Sequence, residues 1–294
     1  MAQVLVVGMA VVDFVFGLDS IPDRPVKYVA SAAEVVGGGC AANAAVAVAR
    51  LGGVAHLATR LGDDPMGDMI LSDLIREGVR TDLARRTRGA RSSYSAVCVD
   101  AAGERMIVNF RGEGLTEETG WIDDAPEVSA VLVDTRWPAG ALRALELAKA
   151  RGVPGVVDAE APPEAQVLAC ASHTAFSHNG LLAFTGGDDL ETALRAADAR
   201  LPGWVCVTDG ANGTYWLDHG RLGHAPAFDV AVTDTLGAGD VWHGAFALAL
   251  AEGQGAGQAI RFASATAALK CTTFGGRKGC PDRSTVETFL KENA

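Results

Sequence analysis

Short apolar runs separated by alanine-rich or amphipathic stretches set the pattern of this chain. Residues 4–7 form an unbroken apolar run that ends at Gly8, as expected of a strand buried on both faces. Residues 11–16 can continue extended. Residues 21–29 hold Pro22 and Pro25 and then Lys27 and Tyr28, which predicts a loop running into a strand. Residues 40–51 are alanine-rich and polar-poor and begin just after Gly37-Gly38-Gly39, so they predict a buried helix. Residues 66–77 have amphipathic helical spacing.

The texture then changes. Residues 92–99 and 105–109 alternate around Ala102-Gly103, which predicts a β-hairpin. A hairpin inside an α/β pattern suggests a small separate sheet, shared with the segment around residues 22–35. Beyond it, strands are predicted at 130–134, 153–158, 174–177 and 204–208, and a second hairpin at 214–222. Helices are predicted at 139–151, 190–200, 241–252 and 259–270. Repeated strand–helix units give an α/β fold: a doubly wound, mostly parallel sheet flanked by helices. The expected organisation is one domain over 1–294, with a β-sheet lid inserted from about 14–35 and 91–112.

In such sheets ligands gather at the carboxyl ends of the strands. There the sequence places Asp13, Gly37 to Asn43, Arg136, Asp158, Asp209-Gly210 and Asp234 to Asp240. The most specific string is Asp234-Thr235-Leu236-Gly237-Ala238-Gly239-Asp240, which runs directly into a predicted helix. Small residues leave backbone N–H groups bare at a helix start, and the helix dipole adds positive potential, so the loop suits an anion. A carboxylate at its end can take a proton from a hydroxyl held beside a phosphate, the arrangement phosphoryl transfer needs. Gly38, Gly39 and Asn43 form a second string before a helix. The glycines allow close backbone approach, and the Asn43 amide offers a donor and an acceptor to hydroxyl groups.

Bulk properties narrow the classes. A formal net charge of −11 over 294 residues argues against a nucleic-acid partner, which needs a basic face. The six cysteines form no C-x-x-C pair, so they read as reduced thiols rather than a zinc or redox site. His173, His178, His224 and His243 show no ligand spacing. No basic leader or membrane-length apolar stretch is present, so a cytoplasmic protein with no membrane partner is expected.

The two strings resemble the two signatures of the PfkB, or ribokinase-like, carbohydrate kinases. One runs from Gly38 through Asn43 and Gly52 to Gly62, the other from Asp234 through Asp240 to Ala245-Phe246. The resemblance implies an ATP-dependent sugar kinase whose lid closes over the sugar. It implies Asp240 as catalytic base, with Gly237, Ala238 and Gly239 as the anion hole. Asp13, Gly38, Gly39 and Asn43 match sugar-binding positions. Thr208, Gly210 and Gly213, with Gly237 and Gly239, match the nucleotide site. Mg²⁺ is implied as a cofactor alongside ATP. The family's usual Asn-x-x-Glu reads Ser177-His178-Asn179-Gly180 here. That leaves Asp158 and Asn179 as metal candidates. Lids in this family often pair across a two-fold axis, which implies a homodimer through the lid.

Within the family the chain resembles the bacterial sulfofructose kinases. Matching stretches include Lys27-Tyr28-Val29-Ala30, Gly103-Glu104-Arg105, Arg136-Trp137, residues 267–271 and Gly275-Gly276-Arg277. The resemblance implies that Lys27, Asn109 and Arg136 hold a terminal sulfonate. The reaction would then be phosphorylation of 6-deoxy-6-sulfofructose to its 1-phosphate, a step of sulfoglycolysis. Fructose, fructose 6-phosphate, tagatose 6-phosphate, ribose and a keto-deoxy sugar acid are the alternative substrates. A sugar-binding regulator without catalysis is the alternative of a different class.

Overall fold

A computed structural model describes residues 1–102, 104–160, 164–218 and 220–293. In chain order the first elements are β1 (Gln3–Val7), β2 (Val11–Gly17), β3 (Ala32–Gly38), α1 (Cys40–Arg50), β4 (Val54–Gly62), α2 (Pro65–Arg76), β5 (Ala84–Thr87), β6 (Tyr94–Val99) and β7 (Arg105–Phe110). There follow β8 (Ala130–Val133), α3 (Pro138–Arg151), β9 (Gly155–Ala159), α4 (Ala165–Leu168), β10 (His173–Ser177), α5 (His178–Thr185) and α6 (Leu190–Arg200). The last are β11 (Trp204–Thr208), β12 (Thr214–Asp218), β13 (Arg221–Ala225), α7 (Ala238–Ala251), α8 (Ala256–Cys271) and α9 (Arg283–Glu292).

The main sheet has the order β13-β12-β11-β10-β9-β8-β1-β4-β5 and is parallel except at its β11-β12-β13 edge. Strand β1 shows why it is doubly wound. Val4 and Val6 enter one core with α1, α7 and α8, while Leu5 and Val7 enter a second core with α3 and α6. A side-chain period of two thus buries both faces, and an unbroken apolar run is what such a strand requires. Helix α7 is apolar nearly all round because it packs between α1 and α8.

The second sheet, β3-β2-β6-β7, is the lid. Its inner face carries Val15, Val36, Val97 and Val99, which pack on Leu236 and Phe274 next to the glycine loop. One row runs across all four strands: Val36, Asp13, Ser95 and Asn109 are register partners in turn. Cross-strand partners share a face, so Asp13, Ser95 and Asn109 line the same side of the lid.

One expectation needs correction. The segment after Pro25 is not a strand: β3 begins at Ala32, which leaves Lys27 on the connection from β2. The main sheet also contains β4 and β5, which the apolar pattern did not announce. Gly103, at the predicted hairpin turn, lies outside the described residues, as does residue 219 within the second hairpin.

Candidate active site

Asp240 stands in the first turn of α7, behind a tight turn in which Gly237 adopts φ 75°. A side chain at that φ is strained, so the turn calls for glycine. The first turn of any α-helix has N–H groups without intrahelical acceptors; here that of Ala238 donates back to the Thr235 carbonyl at 3.2 Å, which leaves those of Gly239 and Asp240. The Asn43 amide of α1 donates to Asp240 Oδ2 at 2.7 Å. The two strings of the sequence therefore meet across 197 residues. At the other end of the same helix start, Gly38 faces Asp13 so closely that a Cβ there would overlap the Asp13 carboxylate. Gly39, at φ 93°, turns the chain into α1 over the Met9 carbonyl. Asp13 is buried, and burial raises its pKa against the lowering effect of a Ser95 hydrogen bond.

A cluster of acids surrounds this point. Burial, and next the charge of Glu160, push Asp240 up to about 6. Asp134 accepts from the Met9 N–H at 2.7 Å, the Ala41 N–H at 3.2 Å and the Arg136 N–H at 2.8 Å. It thereby ties the end of β8 to the start of α1. Asp158 is 4 % exposed, and its Oδ1 accepts no hydrogen bond among the described residues, with His243 Nδ1 standing 3.4 Å from it. Burial, then Glu160 and Asp240, hold its pKa well above the ordinary carboxylate range. Cys40, Asp158 and Asp240 each offer one ligand atom, all within 4.8 Å of one another. The Asp158 oxygen without a hydrogen bond and the neighbouring carboxylates suit a hard divalent cation, whereas the thiol does not. His243 is buried beneath them with ring nitrogens 2.8 Å from the Gly239 carbonyl and 3.3 Å from the Ala175 carbonyl. Burial lowers its pKa, so it is a neutral brace of the loop.

On the far side of Gly239 lies a cavity of about 760 Å³. Thr208, Gly210, Gly213, Phe228 and Trp242 line it, and Thr235, Ala238 and Gly239 reach it from the glycine loop. It is large, mostly apolar and open to the loop's N–H groups, as a purine nucleotide requires. Asn179 lines this cavity from α5, on an exposed position, whereas Asp158 lies with Asp240. Gly180 has a packing reason: a Cβ there would overlap the Ala159 carbonyl at the end of β9. A glutamate at that position does not fit this backbone.

The three residues expected at a terminal anion are placed differently. Arg136, half-buried, ion-pairs with Glu160 beside the acid cluster. Asn109 donates to Ser95 Oγ at 3.0 Å on the inner row of the lid. Lys27 is exposed on the β2–β3 connection, and the described residues give it no hydrogen bond or ion pair. The structure does not bring Lys27 into contact with the other two.

Three residues stand at the site that were not among the expected site residues. Glu160 follows β9 by one residue, and the rule that ligands gather beyond strand ends would have found it. Arg277 is 3 % exposed, ion-paired with Asp73 of α2, and its Nη1 lies 3.5 Å from Asn43 Oδ1. Arg105, at the start of β7, donates to Thr235 Oγ1 at 2.9 Å and so links lid to loop.

Comparison with known proteins gives the family and the fold. A family profile described as pfkB family carbohydrate kinase matches residues 1–283. The ribokinase of Bacillus subtilis (strain 168) is 29 % identical over 299 residues, covering 99 % of this chain and all of the relative. A probable fructokinase-4 of Arabidopsis thaliana is 27 % identical, covering 87 % of this chain and 88 % of the relative. Among solved structures, a provisionally assigned ribokinase from Agrobacterium tumefaciens superposes with TM-score 0.92 at 36 % identity, covering 99 % of this chain and 98 % of that one. A ribokinase from Arabidopsis thaliana complexed with ribose and ATP gives TM-score 0.84 at 25 % identity, with 99 % of both chains covered.

Proposed function

The chain belongs to the pfkB family of carbohydrate kinases, and from that premise, an ATP-dependent sugar phosphotransferase, we propose a substrate, a base and an assembly. The substrate is a ketose with a terminal monoanion, 6-deoxy-6-sulfofructose, phosphorylated at its primary 1-hydroxyl. The observation that carries this reading is the charge balance of the cleft. Asp134, Asp158, Glu160 and Asp240 crowd together, and Arg136 is the cation ion-paired at their edge. A sulfonate brings one fixed charge, whereas a phosphate monoester brings nearly two at neutral pH. Arg136 can grip two sulfonate oxygens with its fork, while a dianion would meet the acids with roughly twice the repulsion. Asn109, on the inner row with Asp13, can donate without adding charge.

Asp240 takes the proton of the attacking hydroxyl. The hydroxyl oxygen bonds to the γ-phosphorus, the bond to the β,γ-bridging oxygen breaks, and ADP leaves. The Gly239 N–H at the start of α7 faces the transferred phosphoryl, with the Ala238 N–H tied to the Thr235 carbonyl at 3.2 Å beside it, and Asn43 holds the Asp240 carboxylate in line. Asp13 and the backbone at Gly38 and Gly39 hold the sugar hydroxyls. Thr208, Gly210 and Gly213 wall the nucleotide cavity. Mg²⁺ bound with the triphosphate would supply charge neutralisation, and Asp158, whose Oδ1 accepts no hydrogen bond, would hold it or its water. The exposed apolar outer face of the lid supports a homodimer through that sheet.

A coupled assay of ADP release tests the substrate. The kcat/KM ratio of sulfofructose to fructose 6-phosphate is expected well above one. Arg136→Ala should lower kcat/KM for sulfofructose by roughly ten- to a hundred-fold, the usual cost of a charged hydrogen-bond partner, with the KM for ATP unchanged. A ratio below one removes the sulfosugar reading and leaves a general sugar kinase.

A further inference from the structure

A fully buried lysine needs a reason, because the group is costly to desolvate. Lys270, in the last turn of α8, is 0 % exposed. Its ammonium donates to the Asp234 carbonyl oxygen at 2.7 Å and stands 3.6 Å from Asp234 Oδ2. Asp234 opens the glycine string, and it is a hub. Its Oδ1 accepts from the Leu236 N–H at 2.7 Å, and its Oδ2 accepts from the N–H groups of Gly275 and Gly276 at 3.0 and 2.8 Å. The N–H groups of Thr233 and Asp234 donate back to the Cys271 carbonyl at 2.8 and 3.0 Å. The end of α8, the segment at 275–276 and the entry to the anion loop therefore converge on one buried carboxylate and one buried ammonium. The carbonyl end of α8 further favours a cation there.

We propose that the Lys270 ammonium is a built-in cation that holds the loop from Asp234 to Gly239 in its phosphoryl-binding shape, so that turnover needs no free monovalent cation at this place. Lys270 is thus a positioning residue: it acts through Asp234 and Leu236 on the loop. The inference rests on the reading of that loop as the phosphoryl site. Replacing the side chain by alanine leaves Asp234 with a carbonyl and a carboxylate oxygen facing a space of ammonium size. A potassium or ammonium ion fits that space and those ligands, and a tetramethylammonium ion is too large. Methionine fills the space without charge.

The test compares wild type, Lys270→Ala and Lys270→Met in potassium chloride and in tetramethylammonium chloride at equal ionic strength. ADP release and the thermal midpoint are both read. Wild type should give the same kcat in both salts. Lys270→Ala should lose kcat on the order of a hundredfold in tetramethylammonium, the scale of a small misplacement of reacting groups. Potassium should restore most of that loss and raise the variant's thermal midpoint, with the KM for sugar little changed. Lys270→Met should lose kcat in both salts and gain nothing from potassium. The proposal is overturned if wild type depends on potassium, if Lys270→Met keeps wild-type turnover, or if Lys270→Ala responds to potassium in neither readout. Should wild type release no ADP with any sugar, the kinase reading fails by itself, and the midpoint shift of Lys270→Ala still decides whether the ammonium is the loop's cation.

Discussion

At the scale of single residues, the account turns on the ionisation of Asp240. A base must be unprotonated to accept a proton, and burial and the Glu160 charge hold this carboxyl at about 6. Activity should therefore rise with pH through that value, with kcat/KM falling about tenfold per unit well below it. A profile flat down to pH 4.5 would contradict the assignment. Glu160→Gln removes a negative neighbour and should move the acid limb to lower pH; an unmoved limb would show that Glu160 does not act on Asp240. Asp240 and Asn43 were legible because each sits in a dense run of glycines and alanines that has no simpler explanation. Glu160 and Arg277 were not. Glu160 is a single charge marked only by its place one residue beyond β9, and Arg277 follows the Gly275-Gly276 pair without any sign that it reaches back to Asn43; the tertiary fold brings each to its partner.

At the scale of elements, packing explains what the pattern of residues left open. Helix α5 starts so close to the end of β9 that Gly180 has no room for a side chain. Gly180→Ala should cost about 1–3 kcal/mol, the usual range for overpacking against fixed atoms, read as a lowered urea midpoint. An unchanged midpoint would show that α5 can shift away. The long helices and the central strands were legible because they are continuous runs of one period. Strand β4 was not, since His56 and Arg60 interrupt its apolar residues. Arg60 is held outside the core by Glu117 and over the Trp137 ring. The start of β3 was misplaced by its prolines and by Lys27-Tyr28, whose tyrosine hydroxyl instead closes a local turn with Asp23 at 3.0 Å.

At the scale of the whole molecule, two sheets divide the work. The large sheet carries the glycine loop and the acids at its strand ends, and the small one covers them. Part of the lid's inner face packs on Leu236 and Phe274. Its outer face leaves Phe16, Val35 and Val108 at 36, 52 and 63 % exposure. Apolar faces and open strand edges of this kind are normally covered. Light scattering at micromolar concentration should give twice the 30.3 kDa of the chain, and a charge placed by Val35→Lys should return it to a monomer. A monomeric mass for the unaltered protein would contradict the proposed pairing. Among the described residues no helix is long and apolar enough to cross a membrane. The most direct test of the whole reading pairs two measurements on Asp240→Asn, sugar-dependent ADP release and ATP binding by calorimetry. The account predicts turnover lowered by roughly a hundred- to ten-thousand-fold, the range for loss of a general base, with ATP affinity close to that of wild type. Turnover near the wild-type value with ATP still bound would contradict it.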